Sequence, residues 1–139
     1  MENVRIYEIP KCRMVSSACG MFGEGKLERF SEWFSTLPVT MFPQDYLWFD
    51  AARGGFVWYY MYSEGMDVPD EFEIVDFPGG LYAVMTGVDG QDNSGEMRET
   101  ETFIRTHGFE RDESRQPLGN IITPQAAQER LGYCQMDYY

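Results

Sequence analysis

Apolar and polar positions recur along this chain with a long period as well as short ones. Shifting the chain so that Val4 falls on Phe72 puts Val4-Arg5-Ile6-Tyr7-Glu8-Ile9-Pro10 over Phe72-Glu73-Ile74-Val75-Asp76-Phe77-Pro78. Both stretches read apolar, charged, apolar, apolar, acidic, apolar, proline, and such self-similarity marks an internal repeat. Each copy continues past its proline into a second extended run, residues 13–19 and 81–87. Each repeat is therefore expected to open with a long strand bent or bulged at the proline, which has no N–H to give to a ladder.

A helical period follows each opening strand. Leu27, Phe30, Trp33, Phe34 and Leu37 make one apolar stripe, and Met97, Thr100, Phe103, Ile104 and His107 make a more polar copy, with Ser94 as the expected N-cap and Gly108 as the expected C-cap. Leu27, Phe30, Trp33, Phe34, Phe103 and Ile104 are the expected helix-to-sheet core. Two runs, 46–52 and 56–62, then read as a hairpin turned at Arg53-Gly54-Gly55. Their counterparts in the second copy are 118–123 and 133–139, and the connection Pro124 to Gly132 is long enough for a turn of helix.

The order strand, helix, strand, strand, twice over, predicts an α+β fold with an antiparallel sheet, two helices and pseudo-twofold symmetry. Residues 1–139 are expected to form one domain, with repeat one at about 3–65 and repeat two at about 71–139. A cleft at the seam of the repeats is where a small ligand is expected.

Composition narrows the function. A net charge of -12, with 11 Lys and Arg scattered along the chain, repels phosphate backbones and anionic lipid, so neither nucleic acid nor membrane is an expected direct partner. The three cysteines, Cys12, Cys19 and Cys134, form no paired motif and suit a reducing compartment; with no leader-like or spanning segment, the expected location is cytoplasmic. One histidine and dispersed cysteines make no zinc site, and neither a nucleophile elbow nor a phosphate-cradling glycine loop is present. Neither a metal, a cofactor nor a catalytic residue is expected. His107 sits on the core-facing stripe and reads as a structural imidazole.

Residues 70–84, Asp-Glu-Phe-Glu-Ile-Val-Asp-Phe-Pro-Gly-Gly-Leu-Tyr-Ala-Val, resemble the start of the second repeat of GyrI-like domains, typically Phe-Glu-x-x-x-x-Pro-x-Gly-x-Tyr-Ala-Val. Members of that family serve as effector-binding domains of bacterial AraC-type and MerR-type regulators, as stand-alone drug-binding proteins, as inhibitors of DNA gyrase and, in some branches, as hydrolases. The resemblance implies a pocket for hydrophobic, often cationic, aromatic molecules. Many relatives carry Phe-Glu-x-Tyr on the strand after the second helix, where the Glu meets a ligand cation; here the stretch is Leu118-Gly119-Asn120-Ile121. Either another acid, such as Asp50 or Asp137, supplies the charge, or the ligand is neutral and Asn120 offers hydrogen bonds.

Strand alternation proposes the remaining site residues. Trp48, Trp58 and Tyr60 are expected on one side of the hairpin, facing a ligand or packing on the other repeat, and Leu47, Phe49, Val57 and Met61 on the other side. Gln135 and Asp137 share a side of the last strand, either toward a ligand or toward water, and Tyr82 follows the family's Tyr-Ala-Val. The expected activity is binding of a small molecule that biases an attached or partner DNA-binding domain. The alternatives are a hydrolase of strained electrophiles, in which Asp137 and Tyr82 would activate water, and a gyrase-inhibitor-like protein.

Overall fold

The computed structural model describes residues 3–38, 40–123 and 125–139. In chain order its elements are β1 (Val4–Ile9), β2 (Cys12–Ser16), α1 (Lys26–Ser35), β3 (Asp45–Asp50), β4 (Gly55–Met61), β5 (Glu73–Phe77), β6 (Gly80–Val88), α2 (Ser94–Thr106), β7 (Gly119–Ile121), α3 (Gln125–Leu131) and β8 (Gln135–Tyr138). The α+β class and the antiparallel pairing are as expected, and the connection after β7 holds the short α3; Pro124, at the head of that connection, lies outside the described residues. Both prolines of the repeat interrupt pairing, Pro10 between β1 and β2 and Pro78 between β5 and β6.

The chain divides into two compact units. Unit A is Pro10–Gly79; unit B is Gly80–Tyr139 together with the strand ending at Ile9. Unit A's strands run in the order β5-β2-β4-β3, and unit B's in the matching order β1-β6-β8-β7. The proline bends thus carry each opening strand away from the elements that follow it: β1 pairs with β6, Val4 opposite Met85, and β5 pairs with β2, Val15 opposite Ile74.

In unit A, α1 lies on one face of the sheet. Phe30 and Leu27 are fully buried, and Phe30 joins Val15, Tyr60 and Phe72 in a core flanked by the half-buried Trp33 and Phe34. In unit B, α2 packs on β6 with no fully buried side chain of its own, and Phe103 and Ile104 are half-buried. Its start is tied by Asn93 rather than by Ser94: Asn93 Oδ1 accepts from Val88 N at 3.1 Å and its Nδ2 donates to Val88 O at 3.1 Å. Gly87 is required there, because a Cβ would stand 2.4 Å from Asn93 Oδ1. Gly108 ends the helix at φ 76°, as expected of a left-handed C-cap glycine. His107 differs from expectation: it is exposed, and its ring stacks on Phe103 at 4.0 Å. Three residues past Ile104, at the C-cap, the stripe has already turned to solvent.

Candidate functional site

The β3–β4 hairpin sets the site, and its register corrects the expected faces. Leu47 stands opposite Trp58, Trp48 opposite Val57 and Phe49 opposite Phe56. Directly opposed residues share a face. One face therefore carries Asp45, Leu47, Phe49, Trp58 and Tyr60, and the other carries Tyr46, Trp48, Val57 and Tyr59. Trp48 is thus separated from Trp58 and Tyr60, with which it was grouped. Alternation along each strand holds; what failed was carrying it round the turn, because pairing Asp50 with Gly55 puts even-numbered residues opposite odd-numbered ones.

The face with Trp58 and Tyr60 is the one that α1 covers. The Phe34 ring lies 5.2 Å from Trp58, edge-on, and stacks at 5.4 Å and 21° on Tyr60, while Phe22 reaches Trp58 at 6.0 Å. Among these rings sits a carboxylate. Asp45, the first residue of β3, is half-buried, and its Oδ2 accepts a 3.0 Å hydrogen bond from Trp58 Nε1. It has no salt-bridge partner among the described residues. Burial pushes its pKa above the usual carboxylate value, against the pull of the indole N–H and of its own backbone N–H. Burial and the nearby Asp45 charge likewise raise Tyr60. A half-buried carboxylate held by one indole among aromatic rings is a place where an organic cation gains both a counter-charge and ring faces.

Asp45 was not among the residues singled out from the sequence, which opened this strand one position later, at Tyr46. The available signal was an acid in phase with Leu47 and Phe49. Asp50, one of the acids that was considered, holds the turn instead: its Oδ1 accepts from Ala52 N and Arg53 N at 3.1 and 3.2 Å.

Tyr82, Asn120, Gln135 and Asp137 fall together on one face of unit B, where Thr86 stands opposite Asp137 and Asp137 opposite Asn120. Asp137 is 5% exposed, and its Oδ1 accepts from Arg5 Nη2 at 2.8 Å and from Thr86 Oγ1 at 2.6 Å. Arg5 Nη2 also donates to Thr86 Oγ1 at 2.8 Å. Asp137 is therefore already neutralised from within the sheet. Tyr82 and Tyr139 are raised by burial, offset by Arg115 at the first and by an Asn120 hydrogen bond at the second. This row links polar groups across β1, β6, β8 and β7, although Arg5 Nε and Asn120 Oδ1 are buried without a hydrogen-bond partner.

The raised pKa of Asp45 has a stability consequence. The folded chain takes up this proton at higher pH than the unfolded chain does, so ionised Asp45 costs stability at neutral pH, and the cost fades as pH falls through the folded-state pKa. Asp45→Asn is expected to raise the thermal midpoint at pH 7, with the gain shrinking toward the ordinary carboxylate range. A gain that is flat in pH would show that the charge is not the cause.

No family model matches the chain, and no curated protein does. Solved structures do. A hydrolase from Listeria innocua superposes with TM-score 0.65 at 9% identity over 99% of this chain and 90% of its own. The C-terminal domain of EcmrR gives TM-score 0.58 at 11% identity over 97% and 93%; in the EcmrR–DNA complex the matched part is 55% of the EcmrR chain. SAV2435 bound to tetraphenylphosphonium gives TM-score 0.52 at 10% identity over 97% and 91%. At these identities the likeness is one of fold.

Proposed function

We propose that this chain is a GyrI-like effector-binding domain that takes a hydrophobic aryl cation beside Asp45, Trp58, Tyr60 and Phe34, and that occupancy biases an attached or partner DNA-binding domain. The observation that carries the reading is the Asp45 carboxylate, which has no basic partner among the described residues and lies among aromatic rings. Asp137 is the poorer counter-ion because Arg5 already occupies it. The same contacts argue against Asp137 as a general base, since its Oδ1 is already engaged by Arg5 and Thr86. The fold is shared with a domain of a DNA-bound protein and with a phosphonium-bound protein, which makes a ligand-responsive role a reasonable use of this site.

The test is calorimetric titration of methyltriphenylphosphonium and of neutral triphenylphosphine oxide, with Trp fluorescence read in parallel. Asp45→Asn is expected to weaken the phosphonium by about 1–2 kcal/mol, roughly five- to thirtyfold, and to leave the oxide unchanged. Equal affinity of the phosphonium for both proteins would remove Asp45 as counter-ion, and absence of any binding would remove the cation reading.

A further inference from the structure

Unit A carries a second concave feature, on the flank of α1. Arg29, Glu32, Trp33 and Thr36, spaced along one side of the helix, face Pro69, Glu71 and Phe72 across an open groove of about 340 Å³. Its floor is aromatic. The Trp33 and Phe72 rings lie 5.6 Å apart, Phe72 is 8% exposed, and the Trp33 indole N–H donates to Asp67 O at 3.1 Å, which fixes the ring. Its rim is charged. Arg29 Nε donates to Glu71 Oε1 at 3.0 Å, both side chains being about half exposed, whereas Glu32 has no ion-pair partner among the described residues.

We propose that this groove docks a basic segment of a partner protein, with an arginine or lysine side chain laid on Trp33 and its charge against Glu32. Three observations select that occupant. Arg29 already meets Glu71 on the rim, which leaves Glu32 as its acid without an ion-pair partner among the described residues. The chain's net charge of -12 draws cationic partners and disfavours acidic ones. The groove is open along its length, which leaves most of a small ligand in water but suits one anchor side chain from a larger surface; Trp and Arg are the residues most often found at such anchors. The groove backs onto the Asp45 site, since Trp33 meets Tyr60 at 5.9 Å, but shares no lining residue with it.

The probe is a fluorescein-labelled octa-arginine peptide titrated by anisotropy into the full chain, with octaglutamate as the negative. The expected result is salt-sensitive binding that Glu32→Lys weakens about tenfold, while Glu110→Lys, an exposed change of equal charge in unit B, weakens it less than about twofold. Trp33→Phe keeps a ring on the floor and should retain most of the affinity, whereas Trp33→Ala should lose about tenfold. Unfolding curves of each variant separate loss of fold from loss of docking. Equal losses for Glu32→Lys and Glu110→Lys would overturn the proposal in favour of diffuse attraction to an acidic surface. Absence of binding would overturn it outright. A concentration-dependent dimer abolished by Glu32→Lys would also overturn it, because the occupant would then be a second copy of this chain.

Discussion

Phe30→Ala is expected to cost about 3–5 kcal/mol of unfolding free energy, the largest single-residue effect in unit A. Phe30 is fully buried, and its ring meets Phe72 at 4.9 Å, Trp33 at 5.4 Å and Phe34 at 5.7 Å. Truncation removes both the transferred apolar surface and the packing of these neighbours, whose rings are held by other contacts and cannot collapse into the space. Phe34→Ala should cost less, because that ring is only half-buried, and Phe103→Ala on α2 less again. Urea unfolding followed by circular dichroism orders the three. A Phe30→Ala loss below about 1 kcal/mol, or one smaller than that of Phe103→Ala, would mean that α1 does not anchor this sheet.

Arg5→Met is expected to cost about 2–4 kcal/mol, because it strands Asp137. The carboxylate is 5% exposed and would keep the Thr86 hydroxyl as a donor in place of Thr86 and a guanidinium. The figure sits below that of a fully buried pair because the Arg5 side chain is 39% exposed and water reaches its outer edge. Most of the loss belongs to the uncompensated charge rather than to the arginine itself. Arg5→Met/Asp137→Asn is therefore expected to recover at least half of it in the same urea measurement. A double variant no more stable than Arg5→Met would assign the effect to the lost packing of the arginine stem.

The two predictions draw on different kinds of information. Phe30 was legible in the chain, since Leu27, Phe30, Trp33 and Phe34 share a helical stripe and a stripe with that much apolar area must find a sheet. The Arg5–Asp137 pair was not. Arg5 had been read only as the counterpart of Glu73 in the repeat, and the two partners, at opposite ends of the chain, meet only because β1 pairs with β6 and β6 with β8. Alternation along β8 nevertheless put Gln135 and Asp137 on one side, and the structure adds Tyr82 and Asn120 to that face, where an internal cation already meets the charge.

Local periodicity, which depends only on backbone geometry within a segment, determined by itself the class of the fold, the helical and extended segments, the glycine at the end of α2 and the proline breaks. Register and long-range pairing were decided in the tertiary structure, because they depend on how one segment's hydrogen bonds meet another's. A turn that pairs even with odd positions moved Trp48 away from Trp58 and Tyr60. The bends at Pro10 and Pro78 sent each opening strand to the other unit's sheet. An acid at the edge of a strand, Asp45, became the centre of an aromatic site only when α1 brought Phe34 over the hairpin, for neither charge nor spacing along the chain records which face a helix will cover.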